Sequence, residues 1–187
     1  MKKAIAVLLA ILMALALVAC GEGKSAGQTE NAQIPNPWRE ITAEEVVKLC
    51  VRLFSPPEGA TEVRWSAMES DKKDVGQLVQ LNFKLDGQEF TARARQGAAQ
   101  EDDISGLYVE WGEPETVTLA NWGEGNMEAT IRRGKLDDKN VVLCSWYDVE
   151  IGICYTLSVD GKDLPADFNI QSVAESLYDA ANEPQIP

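Results

Sequence analysis

The chain has 187 residues, of which 45% are hydrophobic and 25% charged, with 30 acidic against 17 basic side chains and no histidine. This composition fits one globular domain with some additional sequence, and it excludes a collagen-like, coiled-coil or wholly disordered chain. The lack of histidine also excludes Ser-His and Cys-His catalytic pairs and every imidazole metal ligand.

The first twenty residues have the pattern of a bacterial lipoprotein signal. Lys2 and Lys3 precede an unbroken apolar run over 4–19, which is shorter than the roughly 20 residues of a transmembrane helix and fits a signal peptide. The run ends in Leu17-Val18-Ala19-Cys20, which is similar to a lipobox. We therefore predict a signal peptide over 1–19 and a lipid anchor on Cys20, with an ordinary secretory signal and an incidental cysteine as the alternative.

Three further segments follow this signal. Residues 20–37 are rich in Gly, Ser, Gln, Asn and Pro and are predicted to form a flexible tether. Residues 38–182 form one predicted α+β domain, and 183–187 a C-terminal tail. The domain is expected to be an antiparallel meander sheet of about seven strands, with an N-terminal and a C-terminal helix packed on one face.

The two predicted helices carry apolar residues at helical spacing. Thr42 caps the first, and Glu45 completes a capping box. Its apolar stripe consists of Val46, Leu49, Cys50 and Leu53. The second follows Pro165, with a stripe of Ile170, Val173, Ala174, Leu177 and Ala181.

Alternating apolar and polar residues predict the strands. The clearest case is a hairpin turning at Asp86-Gly87, which is a strong signal for a two-residue turn. This turn sets Phe83 opposite Phe90 on the inner face and Lys84 opposite Glu89 on the outer face. Residues 97–105 are predicted to be an exposed loop, and further strands are expected near 107–111, 117–119, 127–131, 140–148 and 152–159.

Cys144 and Cys154 lie on the last predicted pair of strands, and two registers are open. An odd-length loop places the two cysteines opposite each other on one face, close enough for a disulfide. An even-length loop places Cys144 inside and Cys154 outside, and no bridge forms. The sequence does not decide between these registers.

Several short motifs resemble a family of uncharacterised bacterial exported proteins and lipoproteins. They are Asn36-Pro37-Trp38, Pro57-Glu58-Gly59-Ala60, Trp146-Tyr147-Asp148 and Tyr155-Thr156-Leu157-Ser158. Some relatives are sensor-like outer domains of anti-sigma-type membrane proteins. The resemblance implies the lipoprotein-carrier fold, a curved antiparallel sheet whose concave face is covered by helices, and it brings no catalytic residues.

No set of residues predicts catalysis with any specificity. Glu110 and Glu113 beside Trp111 are the nearest approach to a glycosidase pair, but clustering is expected among thirty acids. Trp111 and Trp122 flank predicted glycine-containing turns and are the candidate ligand-facing aromatics, with packing in the core or in a hairpin as the favoured alternative. No metal site and no cofactor is predicted.

These patterns together predict a lipid-anchored protein on the extracytoplasmic face of the cell membrane, with a non-catalytic binding or sensing domain. Its expected partner is a small apolar ligand or an envelope protein. The acidic excess argues against nucleic acid, whose binding depends on Lys and Arg. The alternatives are a carboxylate-based glycan hydrolase and a purely structural or docking lipoprotein.

Overall fold

Nine antiparallel strands form one open sheet in the computed structural model, which describes residues 36–50, 54–122 and 126–182. The predicted signal peptide, Cys20, the tether up to residue 35 and the tail after 182 lie outside the described residues. The strands are β1 Trp38–Ile41, β2 Thr61–Met68, β3 Leu78–Leu85, β4 Gln88–Gln96, β5 Glu110–Trp111, β6 Glu115–Leu119, β7 Met127–Leu136, β8 Lys139–Asp148 and β9 Ile153–Gly161.

The strand order differs from a simple meander at one point. It runs β1-β2-β3-β4-β9-β8-β7, and both β5 and β6 pair with β7 at the far edge. The chain therefore leaves β4 in the middle of the sheet and crosses β9 and β8 before it pairs again. We call residues 97–109, which make this passage, the crossing segment. The predicted meander is wrong here because sequence alternation marks strands but does not show which strands are neighbours.

Both predicted helices are shorter than their apolar stripes suggest. The first, α1, spans Ala43–Val46, and its capping box is confirmed: Thr42 Oγ1 accepts from the Glu45 N–H, and Glu45 Oε2 accepts from the Thr42 N–H at 2.9 Å. The chain continues as a turn over 47–49, and Leu53 lies outside the described residues. The second, α2, spans Ile170–Ser176 and is followed by a 3-10 turn at Ala180–Asn182. A turn that directs apolar residues toward a core gives the same sequence pattern as a helix.

The β3–β4 hairpin is confirmed in register. Phe83 pairs with Phe90 and Lys84 with Glu89, and the two phenyl rings stack with centroids 5.1 Å apart. Asp86 and Gly87 both have positive φ, at +50° and +80°, as a type I′ turn requires.

No helix among the described residues is long and apolar enough to span a bilayer.

One face of the sheet, which we call the core face, carries the main hydrophobic cluster. The segments around α1 and α2 contribute Val46, Phe54 and Ile170 to it, and Ile170 has no exposed surface. Every strand except β5 contributes inward-facing side chains, and the largest fully buried ones are Leu81, Leu119, Ile153, Tyr155 and Leu157. The opposite surface, which we call the polar face, holds the alternate residues of the same strands.

Candidate functional site

A row of polar side chains crosses the middle of the polar face. Arg93 on β4 pairs with Thr156 on β9, Thr156 with Ser145 on β8, and Ser145 with Thr130 on β7. Directly paired residues share one face of a sheet. Four neighbouring strands therefore present one guanidinium and three hydroxyl groups in a continuous line.

Arg93 fastens the crossing segment to this row. Its Nη1 donates to the carbonyl oxygens of Ser105 at 2.6 Å and Ile104 at 3.1 Å, and its Nε donates to the Gln80 Oε1 at 2.8 Å. The guanidinium also lies 5.0 Å from the ring centroid of Trp38. Burial lowers the pKa of Arg93, and the nearby charge of Asp103 opposes that shift. One half-buried side chain thus links β1, β3 and β4 to the crossing segment.

The crossing segment is less exposed than the sequence predicts. Ala98, Ile104 and Ser105 are buried, with at most 5% of their surface exposed. Ala98 and Ile104 belong to a small apolar cluster on the polar face with Leu78 and Cys154. The predicted exposed loop is wrong in this respect, because two apolar anchors and the Arg93 hydrogen bonds hold the segment against the sheet.

A cavity of about 180 Å³ opens beside the crossing segment. Thr130, Ser145 and Thr156 lie along its floor, and Arg132 and Glu128 flank Thr130 on the same face of β7. Its remaining lining is Gln100, Glu101, Asp102, Asp103, Leu143, Trp146, Tyr147 and Cys154. The cavity therefore lies between three strands and one connecting segment and is lined mainly by polar groups.

Several lining side chains have no intramolecular partner. Across the part of the chain that the structure describes, Thr130, Ser145, Thr156 and Arg132 make no side-chain hydrogen bond or ion pair, although Thr156 is only 3% exposed. Buried polar groups are usually hydrogen-bonded in native proteins. The floor of the cavity thus offers donors and acceptors that the fold itself does not use.

Two of the acidic wall residues, in contrast, support the crossing segment. Asp102 accepts a hydrogen bond from the Ala99 N–H at 2.9 Å, and Asp103 accepts one from the Ser105 N–H at 2.8 Å. The Cys154 thiol donates to the Asp102 carbonyl oxygen at 3.6 Å. The two carboxylate contacts stabilise the crossing segment itself, and the Cys154 contact holds it against β9.

The structure corrects one predicted aromatic. Trp122 is 1% exposed in the core face, where its ring contacts Trp146, Tyr155 and Tyr178 and its Nε1–H donates to the Ala174 carbonyl at 3.0 Å. Trp122 therefore faces no ligand. Its indole N–H has a backbone partner, which is what allows full burial of a tryptophan.

Trp111, the other predicted aromatic, is half-buried at the end of β5, opposite Gly134 on β7. A Cβ at Gly134 would lie 2.5 Å from Val109 Cγ1 and 2.9 Å from the Glu110 carbonyl oxygen. Gly134 thus permits the close approach of the edge strand. Trp111 is not among the residues that line the 180 Å³ cavity.

The structure also decides the cysteine register. Asp148 pairs with Ile153, so the loop between β8 and β9 has four residues, and Cys144 lies opposite Leu157 while Cys154 lies opposite Tyr147. Cys144 is in the core face and Cys154 in the small cluster on the polar face. Both are free thiols. The disulfide that an odd-length loop would allow is therefore absent, because the even loop places the two cysteines on opposite faces.

The acidic pair considered for glycan hydrolysis is not part of the cavity. Glu110 and Glu113 are exposed on β5 and the turn after it, and neither lines the 180 Å³ cavity. Among the described residues, no three His, Cys, Asp or Glu side chains are grouped as metal ligands.

Sequence reasoning missed the floor of the cavity. Thr130, Ser145 and Thr156 belong to three separate alternating runs, and their polar positions are indistinguishable from solvent-facing ones until the strands are paired. Arg132 gave no separate signal, because Arg133 and Lys135 are cations of the same strand. No protein-family model matches the chain, and no curated protein or solved structure matches it significantly.

Proposed function

We propose that this protein is a lipid-anchored extracytoplasmic lipoprotein whose domain binds a small polar ligand without transforming it. The observation that carries the proposal is the 180 Å³ cavity on the polar face, whose floor presents hydroxyl groups and a guanidinium that have no partner among the described residues. Pockets that bind small molecules place a few polar groups where they fix the orientation of the ligand. A binding or sensing role needs no more than this arrangement.

Aromatic packing between the helices and the sheet is evidence for a polar ligand and against the small apolar ligand that the sequence predicted. Trp122, Trp146 and Tyr155 pack there with ring centroids 5.1 to 5.3 Å apart. These rings fill the region that a carrier of apolar molecules would keep open. The cavity of about 180 Å³ lies instead on the polar face, where hydroxyl and charged groups line it.

The proposed site is tested by screening a mixture of common metabolites against the intact protein by ligand-observed NMR. Amide chemical shifts then locate the binding site. We expect at least one polar compound of small size to bind, with the largest shift changes at Thr130, Ser145 and Thr156. Binding that perturbs only the core face, or the absence of any binder, would refute the proposed site. Turnover of a bound compound would instead support the hydrolase.

The anchor has a separate test. Replacing Cys20 with Ala removes the only thiol of the predicted lipobox. We expect this variant to leave the membrane fraction, whereas the Cys50→Ala variant stays there. Retention of the Cys20→Ala variant after a high-salt wash would contradict lipid anchoring.

A docking role toward an envelope protein is the second candidate, and one residue favours it. The Tyr108 side chain is 96% exposed in the crossing segment, and tyrosine is enriched at protein interfaces. A photocrosslinking residue at position 108 should capture one defined envelope protein if docking is the function. The same residue at Val149, which is 73% exposed, is the matched control.

A further inference from the structure

We propose that the ligand of the polar-face cavity is a small amino-carboxylate, a molecule that carries one ammonium and one carboxylate group. This inference rests on the proposed function, because it names the ligand class of the same site. It starts from two opposite charges on one strand that do not pair with each other.

Glu128 and Arg132 lie on the same face of β7, with Thr130 between them. Alternate residues of a strand are about 7 Å apart, so the two Cα atoms are separated by about 14 Å. Both side chains are long enough to approach a group bound between them. Across the described residues neither side chain makes an ion pair. Arg132 can therefore bind an anionic group, and Glu128 a cationic group, at opposite sides of the cavity floor.

Arg132 is suited to a carboxylate. A guanidinium donates two parallel hydrogen bonds to a carboxylate, and it holds its charge at every physiological pH. Arg132 is half-buried, and no described residue accepts a hydrogen bond from its guanidinium. Its neighbour Arg133, in contrast, donates to the Phe168 carbonyl at 3.0 Å and pairs with Glu115.

The surrounding acids make a simple anion a poor ligand. Glu101, Asp102, Asp103 and Glu128 all line the cavity, which contains the single cation Arg132 among its described lining residues. The whole chain has a formal net charge of −13. Such a field repels anions and attracts ammonium groups. A ligand with both charges satisfies Arg132 without adding net negative charge.

The size and polarity of the cavity narrow the class further. A volume of about 180 Å³ is below the roughly 300 to 1,000 Å³ of pockets that bind drug-sized ligands. This is too small for a lipid or an oligosaccharide and suits a free amino acid. A second cavity of about 280 Å³ shares Gln100, Glu128 and Tyr147 with the first and includes Met127 and Val149. It would accept the side chain of the amino acid and select among side chains.

The test uses the intact protein and isothermal titration with the twenty standard amino acids. For the best binder, the analogues that lack the amino group and the carboxylate are titrated in parallel. We expect each analogue to bind at least about tenfold more weakly, since a hydrogen bond to a charged group is worth about 1.5 to 3 kcal/mol.

Two substitutions locate these contacts. Arg132→Gln should weaken the amino acid at least tenfold and leave the weak binding of the analogue without a carboxylate unchanged. Glu128→Gln should also weaken the amino acid at least tenfold, and it should leave the weak binding of the analogue without an amino group unchanged. Arg64→Gln, an exposed arginine on β2 outside this cavity, is the matched control and should change nothing.

The possible failures are distinguishable. If a neutral polar compound binds with shifts at Thr130, Ser145 and Thr156 while no amino acid does, the ligand class is wrong and the proposed function stands. Equal affinity for the amino acid and both analogues also overturns the ligand class. If no compound of any class binds in the cavity, both proposals fall.

Discussion

The core face and the polar face of the sheet are built from the same strands and differ in how completely they are covered. On the core face, the rings of Trp146 and Tyr155 stack nearly parallel, 5.3 Å apart, and Trp122 packs against both. On the polar face, the crossing segment covers the apolar end near Leu78 and Cys154 and leaves the hydroxyl row beside it open. The first arrangement serves stability, and the second leaves groups free for a ligand.

The two faces are also stabilised by different kinds of interaction. Apolar burial spread over many residues secures the core face, and this term scales with the area removed from water. The polar face depends on a few directional contacts, with Arg93 at their centre. Substitutions should therefore be costly on the core face and, on the polar face, costly where they disturb Arg93 or the small apolar cluster around Leu78 and Ile104.

The largest effect is expected from Trp122→Ala. The substitution removes three ring contacts and the hydrogen bond to the Ala174 carbonyl, and we expect a loss of about 4 kcal/mol in the free energy of unfolding. Trp111→Ala, on the half-buried edge strand, is the matched control and should cost less than half as much. Urea denaturation measures both. Equal losses would mean that the core face is not the better packed of the two.

The β3–β4 hairpin provides a second contrast within one pair of adjacent residues. Phe83→Ala should cost about 3 kcal/mol, because Phe83 is 2% exposed and stacks on Phe90. Lys84→Ala should cost well under 1 kcal/mol, because its partners Glu62 and Glu89 are exposed. A similar shift of the urea midpoint for both variants would contradict the assignment of the two faces.

Two glycines with positive φ separate backbone strain from the Arg93 contact. A Cβ at Gly87, at φ +80°, meets nothing within 4 Å, whereas one at Gly106, at φ +66°, would lie 2.4 Å from Arg93 Nη1. Gly87→Ala should therefore show the strain alone, about 1 kcal/mol.

Gly106→Ala should cost about 2 kcal/mol, because the displaced guanidinium also loses its hydrogen bonds to Ile104 and Ser105. Hydrogen exchange should increase in the crossing segment of this variant and remain unchanged in the Gly87→Ala variant. Equal stability losses without faster exchange would show that Arg93 does not hold the segment.

The smallest effect concerns pH. Burial raises the pKa of the Cys144 thiol from its ordinary value of 9.0 to about 12, and the charge of Glu175 adds to the shift. The unfolded chain therefore releases this proton at a lower pH than the folded protein does, so stability falls as the pH rises above about 9. In Cys144→Ala, the free energy of unfolding should decline less steeply between pH 8 and 10. An unchanged slope would contradict the burial of this thiol.

The sequence predicted the core face better than the polar face for a physical reason. Burial imposes a period of two on strand residues, so the Asp86-Gly87 turn and the alternation around Phe83 were enough to place that hairpin in register. The same period does not distinguish a polar residue that faces a cavity from one that faces solvent. That Thr156 is buried follows from the pairing of β4 with β9 and from the path of the crossing segment, and neither is encoded in a local pattern.

The misassigned tryptophan has a similar explanation. Trp122 follows β6 and precedes the sequence Gly123-Glu124-Gly125, a pattern that predicts a turn and an exposed position. Its burial depends on the Ala174 carbonyl, 52 positions further along the chain. The cysteine register likewise depended on the length of one loop, which the positive φ of Gly152 fits but does not determine.

A substitution that fills the polar-face cavity distinguishes a space that serves a ligand from a space that the fold itself requires. Thr130→Phe places a phenyl ring on the half-buried cavity floor, and aromatic residues are well accommodated in strands. Thr61→Phe, at an exposed position of β2 outside this cavity, is the matched control. We expect Thr130→Phe to change the free energy of unfolding by less than about 1 kcal/mol and to abolish ligand binding, whereas Thr61→Phe preserves both. Binding that survives in Thr130→Phe, or a stability loss as large as that of Trp122→Ala, would contradict the account.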